Sequence, residues 1–312
     1  MKNKYILILL LALTGCKYSF DLDYQNAQPM VAIKSYICAD SLVTIDINKV
    51  VPLAELETTD STLINPHYSL KCNGVEVDCD ELQPGISKLS LRTDAFRSGD
   101  KIEIVFESDD TEKAIASTVI PGTFPQYELE LCKSSNAQRN IKIRYNDDPD
   151  TEDWYAASVK WNGLQERYVG LDEPQIVEVR NQMIYPPTGY NDLQLEPESY
   201  SPIIVSFQGD YLYVWKDSEE DNEYDLCFNY RSNWDGYVSS VKDAEVQCTL
   251  FKLSEEMYRY LFAEFDSWNN PFIEAGMSSP AFTYSNVRNG AGYLCGYSVV
   301  HSEWIKDNLF EE

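Results

Sequence analysis

Apolar and polar side chains alternate along many short segments of this chain, and this pattern constrains the fold more than any other feature. Val43, Ile45 and Ile47 show it clearly. A period of two residues is typical of a strand with one buried face. The 22 tyrosines add to this tendency, because aromatic residues favour strands. Such segments, separated by turn residues without a helical pattern between them, indicate a β-sandwich.

The pattern breaks at Pro121-Gly122, which predicts a boundary between two domains. We therefore predict an all-β protein of two sandwich-like domains. The first is an Ig-like or transthyretin-like β-sandwich over residues 30–121. The second is a larger β-rich domain over residues 122–312, and it carries one C-terminal helix.

That helix is predicted near residues 254–268. Ser254 is a suitable N-cap residue, and the two glutamates that follow it suit the positive end of the helix dipole. Four apolar residues recur at helical spacing and would share one face. They are Met257, Leu261, Phe265 and Trp268.

The first sixteen residues, MKNKYILILLLALTGC, have the layout of an export signal. Lys2 and Lys4 precede a short apolar run, and small residues follow that run. A helix that spans a bilayer needs about 20 apolar residues, more than twice the length of this run. The segment is therefore interpreted as a signal and not as a membrane-spanning helix.

Cys16 is the residue on which the membrane prediction depends. Leu13-Thr14-Gly15-Cys16 resembles the lipobox of bacterial lipoproteins, in which the cysteine is acylated and becomes the new N-terminus. This implies a signal peptide over residues 1–15, diacylglycerol and palmitate on Cys16, and a lipidated tether over residues 16–29. We predict that this lipid anchors the protein to a membrane. Plain secretion is the alternative.

The formal net charge of −26 disfavours two kinds of partner. Nucleic acids and anionic lipid surfaces are bound through Lys and Arg, which are in the minority here. Removal of the signal would also remove Lys2 and Lys4, so the mature chain would be more acidic still. We predict no nucleic-acid partner, and we expect most acidic side chains to be solvated surface groups.

Seven cysteines follow Cys16, and an odd number leaves at least one thiol free or paired between molecules. Cys72 and Cys79 flank a predicted hairpin turn at Asn73-Gly74, which would place Cys72 opposite Val75. That register argues against a direct bridge between the two cysteines. No spacing typical of a zinc site is present. We expect most of these cysteines to be small core residues.

The sequence offers little for catalysis. Its two histidines, His67 and His301, lie outside zincin and nucleophile-elbow motifs. Two carboxylates would suffice for a glycoside hydrolase, but 51 acidic residues supply such pairs by chance. We predict that the protein is not an enzyme and has no cofactor, with a carboxylate-based glycoside hydrolase as a remote alternative.

Asp148, Asp150 and Glu152 form the weak candidate for a metal site. They alternate in an acidic loop, and oxygen ligands at such positions suit calcium. However, the EF-hand glycine and terminal glutamate are missing at the required spacing, and Pro149 intervenes. A solvated acidic turn is the competing interpretation.

Loop aromatic residues are the candidates for ligand contact. Tyr185 and Tyr190 flank a pair of prolines, and Trp234 and Tyr237 flank Asp235-Gly236. Such side chains stack on a sugar face or on a nonpolar ligand. Packing over the end of a sandwich is the alternative.

The C-terminal third carries sequence patterns of a known family. LSEEMYRYL at 253–261, NPF-x-E at 270–274 and YSNVRNGAGYLCGY at 284–297 resemble the domain of unknown function 4249 family of Bacteroidetes-type outer-membrane lipoproteins. MVAIKSYICAD at 30–40 is similar to the family's first strand. The family has no established activity, so no catalytic residue is implied. Its members are often encoded beside TonB-dependent receptors, which implies such a receptor as a partner.

These family segments also have a structural interpretation, which we prefer. Asn270-Pro271 would stop the helix, and Gly290 and Gly292 would allow a turn or bulge before the last strand. The chain departs from the family pattern at Ala275, where Pro is usual, and at Asn289-Gly290, where two glycines are common. Asparagine tolerates positive φ, so the turn is expected to persist.

These features together predict a lipid-anchored accessory or ligand-binding protein at the outer membrane or cell surface. It would work with a TonB-dependent receptor in nutrient uptake, and its ligand would be a small molecule, a peptide or a glycan. The alternative is a surface glycan-binding or adhesive protein that acts without a transporter.

Overall fold

The computed structural model describes residues 29–51, 62–82, 88–133, 138–148, 150–167, 173, 175–184, 203–217, 223–229, 238–269 and 284–308. Within these ranges the chain forms 19 strands and a single α-helix. The prediction of an all-β protein with one helix is confirmed.

The strands of the N-terminal half are short. They are β1 (Met30–Cys38), β2 (Val43–Val50), β3 (His67–Cys72), β4 (Val75–Glu76), β5 (Asp80–Leu82), β6 (Lys88–Thr93), β7 (Lys101–Ser108) and β8 (Thr111–Val119). Cys72 pairs with Val75, as the predicted hairpin register requires. Asn73 and Gly74 both have positive φ, 52° and 81°, which a two-residue hairpin of this type demands.

The C-terminal half contains two much longer strands, β11 with 14 residues and β16 with 16. Its elements are β9 (Tyr127–Lys133), β10 (Gln138–Tyr145), β11 (Trp154–Arg167), β12 (Gln175–Met183), β13 (Ile203–Phe207), β14 (Asp210–Lys216), β15 (Glu223–Asn229), β16 (Val238–Leu253), α1 (Glu255–Asn269), β17 (Val287–Arg288), β18 (Gly290–His301) and β19 (Ile305–Lys306).

An 11-stranded sheet runs through both halves of the molecule. Its order is β13-β14-β11-β16-β18-β1-β2-β6-β5, with β12 paired to β11 and β19 paired to β16. At its centre β1 and β18 are parallel, with Val31 opposite Gly290 and Cys38 opposite Tyr297. The predicted boundary at residue 121 falls between β8 and β9, but backbone hydrogen bonds join the two halves through this central pair.

Two smaller sheets complete the sandwiches. The sheet β17-β8-β7-β3-β4 packs on the N-terminal strands of the large sheet around an aliphatic core that includes Ile33, Ile45 and Ile104. The sheet β15-β10-β9 packs on β14, β11 and β16 around Tyr155, Trp161 and other aromatic residues. Both small sheets cover the same face of the large sheet, because β18 contributes Leu294 to the first core and Val300 to the second.

Helix α1 covers the opposite face of the large sheet. Ser254 caps it, since its Oγ accepts a hydrogen bond from the Met257 N–H at 3.1 Å. Met257 and Leu261 are each 1 % exposed against this face, as the predicted apolar stripe requires. Among the residues described, no helix is both long and apolar enough to cross a membrane.

The seven cysteines after Cys16 are all described and all are free thiols. Cys38, Cys248 and Cys295 are buried, and Cys72 and Cys79 pack half-buried against the N-terminal core. Five of the seven thus contribute to cores. The two others are half-buried, and they are Cys132 and Cys227.

Candidate functional site

The residues singled out for lipidation and ligand contact lie outside the described ranges. They are Cys16, Tyr185, Tyr190, Trp234 and Tyr237. Their roles stay predictions. The strands that flank the two aromatic loops are described, however, and these strands fix where each loop leaves the sheet.

The two loops leave the sheet at different levels. Ile184, before the first loop, donates its N–H to the Val159 carbonyl at 3.1 Å. Val238, after the second loop, pairs with Arg167. These two points on β11 are eight residues apart, about 25 Å along a strand. The described residues that flank the two loops are therefore held at well-separated points of β11.

Strand register gives the molecule two distinct ends. Strand β1, the first described strand, starts at Met30, and β18 runs parallel to it. Strand β16 is antiparallel to β18, with Leu253 opposite Tyr297 and Thr249 opposite His301. From Thr249 back to Val238, β16 continues beyond the end of β18, away from Met30. We call the region around Met30 the tether end and the region around Val238 the far end.

The acidic loop joins β10 to the start of β11, where Trp154 lies opposite Leu253 of β16, between the two ends. Asp148 Oδ1 accepts a hydrogen bond from the Asp150 N–H at 3.1 Å, and Glu152 forms an ion pair with Lys216. Part of the candidate ligand set is thus engaged in an Asx-type turn and in an ion pair.

Within the described ranges, no group of three or more His, Cys, Asp and Glu side chains is placed to hold a metal ion. Calcium binding by Asp148, Asp150 and Glu152 stays a prediction. A bound ion would raise the unfolding temperature in millimolar calcium, and a chelator would reverse that rise.

A buried tyrosine organises the base of this loop. Tyr155 is fully buried, and its hydroxyl donates to Asp147 Oδ1 at 2.6 Å. Asp153 Oδ2 lies 3.5 Å from the same hydroxyl and accepts a hydrogen bond from Lys252 Nζ at 2.6 Å. Burial, then the hydrogen bond to Asp147 and the charges of both aspartates, raise the pKa of Tyr155.

Because its pKa is raised above the ordinary value, Tyr155 stays protonated well above neutral pH and acts as a hydrogen-bond donor. Asp147 Oδ2 is buried and accepts no hydrogen bond from the residues described. The hydrogen bond from Tyr155 ties the acidic loop to β11 and leaves Asp147 Oδ2 as an unused acceptor. Nothing in the sequence indicated that Asp147 and Asp153 would converge on the Tyr155 hydroxyl.

Three tyrosines meet where α1 crosses the central strands. Tyr36 of β1 stacks on Tyr293 of β18 with ring centroids 4.7 Å apart, and Tyr260 of α1 lies 4.4 Å from Tyr293. Burial is the main reason that the pKa of Tyr260 rises to about 12. Sequence reasoning missed this cluster, because its members come from opposite ends of the chain.

The motif at 284–297 is the place where β18 meets neighbouring backbones. Asn286 Nδ2 donates to the Leu294 carbonyl at 2.8 Å and to the Ser117 carbonyl of β8 at 3.1 Å. A Cβ at Gly292, which has φ +99°, would lie 2.1 Å from the Ile33 carbonyl oxygen of β1. Asn289 has φ 56°, so the turn tolerates this departure from the family pattern. This geometry agrees with the structural interpretation of the motif.

Comparison with solved structures finds distant similarity. The chain resembles the adhesin InvE of Yersinia pseudotuberculosis with a TM-score of 0.22 and 8% identity, covering 74% of this chain and 57% of that one. It resembles the FN1-FN3 domains of chicken CNTN1 with a TM-score of 0.26 and 10% identity, covering 72% and 62%. The chain thus spans less than two thirds of either structure.

Sequence comparison gives the family. No curated protein matches the chain. The sequence matches the profile described as Domain of unknown function (DUF4249) over residues 17–303, which is nearly the whole chain. The protein therefore belongs to the DUF4249 family.

Proposed function

We propose that this protein is a lipid-anchored accessory protein of the outer membrane that presents its far end to a ligand or partner. This proposal depends on where the tether would join the folded body. The tether joins the body at Met30, at one end of the large sheet, whereas β16 extends past β18 in the opposite direction. A lipid on Cys16 would thus hold one end at the membrane and leave the other end accessible.

The family match supports the predicted cleavage point. It begins at residue 17, directly after Cys16. The segment that would be removed lies outside the matched region, as expected for an export signal. Acylation would restrict the body to the membrane surface and raise its effective concentration near any membrane partner.

The length of β16 indicates how far the far end would lie from the membrane anchor. Its 16 residues correspond to about 50 Å of strand. Val238, at its start, directly follows the loop of Trp234 and Tyr237. A ligand or partner that contacts the far end would therefore be held well away from the lipid anchor.

We further propose that the partner is a TonB-dependent receptor and that the complex serves nutrient uptake. Chemical cross-linking in intact cells, followed by mild solubilisation and capture of this protein, tests the pairing. We expect a receptor of this class to be enriched, and the enrichment to fall with a Cys16→Ala variant, which cannot be acylated. Capture of the acylated protein without any receptor would contradict the pairing.

The second candidate is a surface glycan-binding or adhesive protein that acts without a transporter. Loop aromatic residues favour it, because Trp234 and Tyr237 precede the first residue of β16 at the far end. Glycan arrays with Trp234→Ala and Tyr190→Ala variants test it, with Val75→Ala as an exposed control in a different hairpin. Binding that is lost in either loop variant and kept in the control would favour this candidate over a receptor partner.

A further inference from the structure

We infer that the edge of β9, together with an apolar groove beneath it, binds an extended segment of a partner protein in which apolar and basic side chains alternate. This segment would join the sheet β15-β10-β9 as a fourth strand. The inference goes beyond the proposed function and does not depend on the lipid anchor, because every residue that carries it belongs to the C-terminal sandwich.

Strand β9 forms one edge of its sheet, because it pairs only with β10. Its seven residues are all in register with β10, without a bulge. An edge strand presents backbone N–H and C=O groups that its own sheet does not use, and another chain can pair with them. Among the residues described, none from another element hydrogen-bonds to these groups of β9.

Two other edge strands of this sandwich differ from β9. At β15, the Cys227 carbonyl accepts a hydrogen bond from the Tyr213 hydroxyl at 2.8 Å. At β12, the pairing with β11 shifts register between Trp161 and Gly163, and such irregularities make an edge a poor template. Strand β9 therefore offers a more regular and less occupied edge than either of them.

Two leucines of β9 form the upper side of the groove. Leu129 lies opposite Ile143 of β10, and Leu131 lies opposite Ile141. Directly opposite residues share one face of a sheet, so both leucines face the core that contains these isoleucines. Both leucines are only half-buried there. They therefore leave apolar surface at the edge for a further strand to cover.

The lower side of the groove is the edge of the large sheet. Val300 of β18 lies opposite Leu250, and Ile305 of β19 lies opposite Val246, so both face the same core. Both are half-buried. Strand β1 does not extend along them, because its last residue pairs with Tyr297. We call Leu129, Leu131, Val300 and Ile305 the β9 groove.

Tyr127 shows that β9 lies above this part of the large sheet. Burial is the main cause of its raised pKa, and Cys248 of β16 and Glu303 next to β19 add to it. The Tyr127 hydroxyl therefore lies near both residues. The two sides of the groove thus belong to one opening into the C-terminal core.

Carboxylates line this opening and indicate the charge of the partner. Glu128 and Glu130 are exposed on β9, and Glu303 is exposed on the other side. Glu130 pairs with Arg144 at 3.0 Å, whereas Glu128 and Glu303 form no ion pair within the described part of the chain. The net charge of −26 adds a long-range attraction for a basic partner. Basic side chains on the outer face of the added strand therefore fit this site.

A second copy of this chain fits the edge less well. If two β9 strands paired antiparallel about their centre, Glu130 would lie opposite the same residue of the other copy. Like charges directly opposite each other destabilise a strand pair. The occupant that fits is a strand from another protein, with apolar side chains in the groove and lysine or arginine above it.

Peptide binding to the full chain, purified in mild detergent, tests the inference. The probe is a fluorescent peptide of about nine residues in which valine and lysine alternate, followed by fluorescence anisotropy. One control peptide has the same composition with the valines and lysines in two blocks, and another has glutamate in place of lysine. We expect both controls to bind about tenfold more weakly. Equal binding of the block peptide would overturn the inference.

Matched variants separate the groove from the net charge. Glu128→Lys should weaken binding of the alternating peptide about tenfold, because it reverses a charge beside the groove. Glu112→Lys makes the same change at an exposed position of β8 and should bind as wild type does. If Glu128→Lys lowers the unfolding temperature, Glu303→Lys replaces it. Equal weakening by the β8 variant would contradict the inference.

Hydrogen exchange identifies the strand that the peptide joins. Bound peptide should slow exchange of amides in β9 and leave β12 and β15 unchanged. Protection of β12 or β15 instead of β9, or a dimer of this chain that excludes the peptide, would overturn the inference. An unmodified Cys16 would contradict the proposed anchor and leave these results unaffected, so the two proposals fail separately.

Discussion

The cores of the two sandwiches are built from different kinds of side chain. The N-terminal core is mainly Val, Ile and Leu, and its fully buried aromatic residues, Phe96 and Phe106, carry no polar side-chain atoms. The C-terminal core buries polar aromatic side chains, several of which make hydrogen bonds. Tyr213 donates its hydroxyl to the Cys227 carbonyl at 2.8 Å, and Trp215 Nε1 donates to the Tyr145 hydroxyl at 3.2 Å.

This contrast extends to the buried ion pairs. Arg139 and Asp307 are both 0 % exposed, and the Arg139 Nε lies 2.8 Å from Asp307 Oδ2 across the C-terminal sandwich. The ion pair of the N-terminal sandwich, Lys49 with Asp110, keeps a 21 % exposed carboxylate. The N-terminal core thus depends mainly on packed volume, and the C-terminal core depends also on satisfied polar groups, which are costly to leave unpaired.

The largest effect should come from the junction that both sandwiches share. Gly292→Val would place a Cβ 2.1 Å from the Ile33 carbonyl oxygen at a backbone φ of +99°. We expect a loss of about 5 kcal/mol or more, and therefore no stable native state for either core. Circular dichroism and urea unfolding measure this.

Gly122→Ala is the matched control, because Gly122 has nothing within 4 Å of the added Cβ. Its stability should be close to wild type. If Gly292→Val unfolded one sandwich and left the other native, the idea of a shared junction would be wrong.

Next in size is the buried ion pair of the C-terminal sandwich. Arg139→Met would leave Asp307 as a buried charge without its main partner, at a cost of about 3–5 kcal/mol. The double variant with Asp307→Leu should recover most of this loss. Hydrogen exchange should show the change in β10 and β16 and not in β2 and β7. An equal increase in hydrogen exchange in both sandwiches would contradict the idea that only the C-terminal core depends on this ion pair.

A smaller effect is expected at the acidic loop. Tyr155→Phe removes the donor to Asp147 Oδ1 and leaves a half-buried carboxylate, which should lower stability by about 1–2 kcal/mol. In an Asp147→Ala background the same substitution should cost much less, because the partner is already gone. Additive losses in this double-mutant cycle would show that the hydrogen bond contributes nothing.

The smallest effect is expected for the ion pair of Lys49 and Asp110, and it should depend on pH. Burial raises the pKa of Asp110, but hydrogen bonds from Lys49 and Ser108 outweigh it, so the pKa lies below its ordinary value. The stabilisation is present above the unfolded pKa of about 4 and is lost as pH falls through the lower folded value. Asp110→Asn should cost about 1 kcal/mol at pH 7 and almost nothing in strong acid. A cost that does not change with pH would contradict this assignment.

Local sequence patterns predicted much of the fold. Alternation at Val43, Ile45 and Ile47 predicted a strand where β2 lies, the Asn73-Gly74 turn predicted its hairpin register, and Ser254 marked the start of α1. Each of these features depends on interactions within a few residues. Such signals are strong because turn geometry and helix capping constrain the residue types directly.

Pairings between distant segments could not be predicted. Alternation stops before Arg167 and begins after Val238, yet β11 and β16 continue through these polar stretches because each strand hydrogen-bonds to its neighbour. The parallel pairing of β1 with β18 and the meeting of Arg139 with Asp307 join residues that are far apart in the chain. The candidate site at Tyr155 has the same origin, since its partners converge only in the folded sheet.

The central pair of strands has a consequence for biogenesis. Strand β1 precedes every other described strand in the chain, whereas its parallel neighbour β18 follows nearly all of them. Contacts between such distant segments are entropically costly and slow to form. The middle of the sheet therefore cannot assemble until β18 has been made, so β1 has to wait without its parallel neighbour while all the strands between them are synthesised.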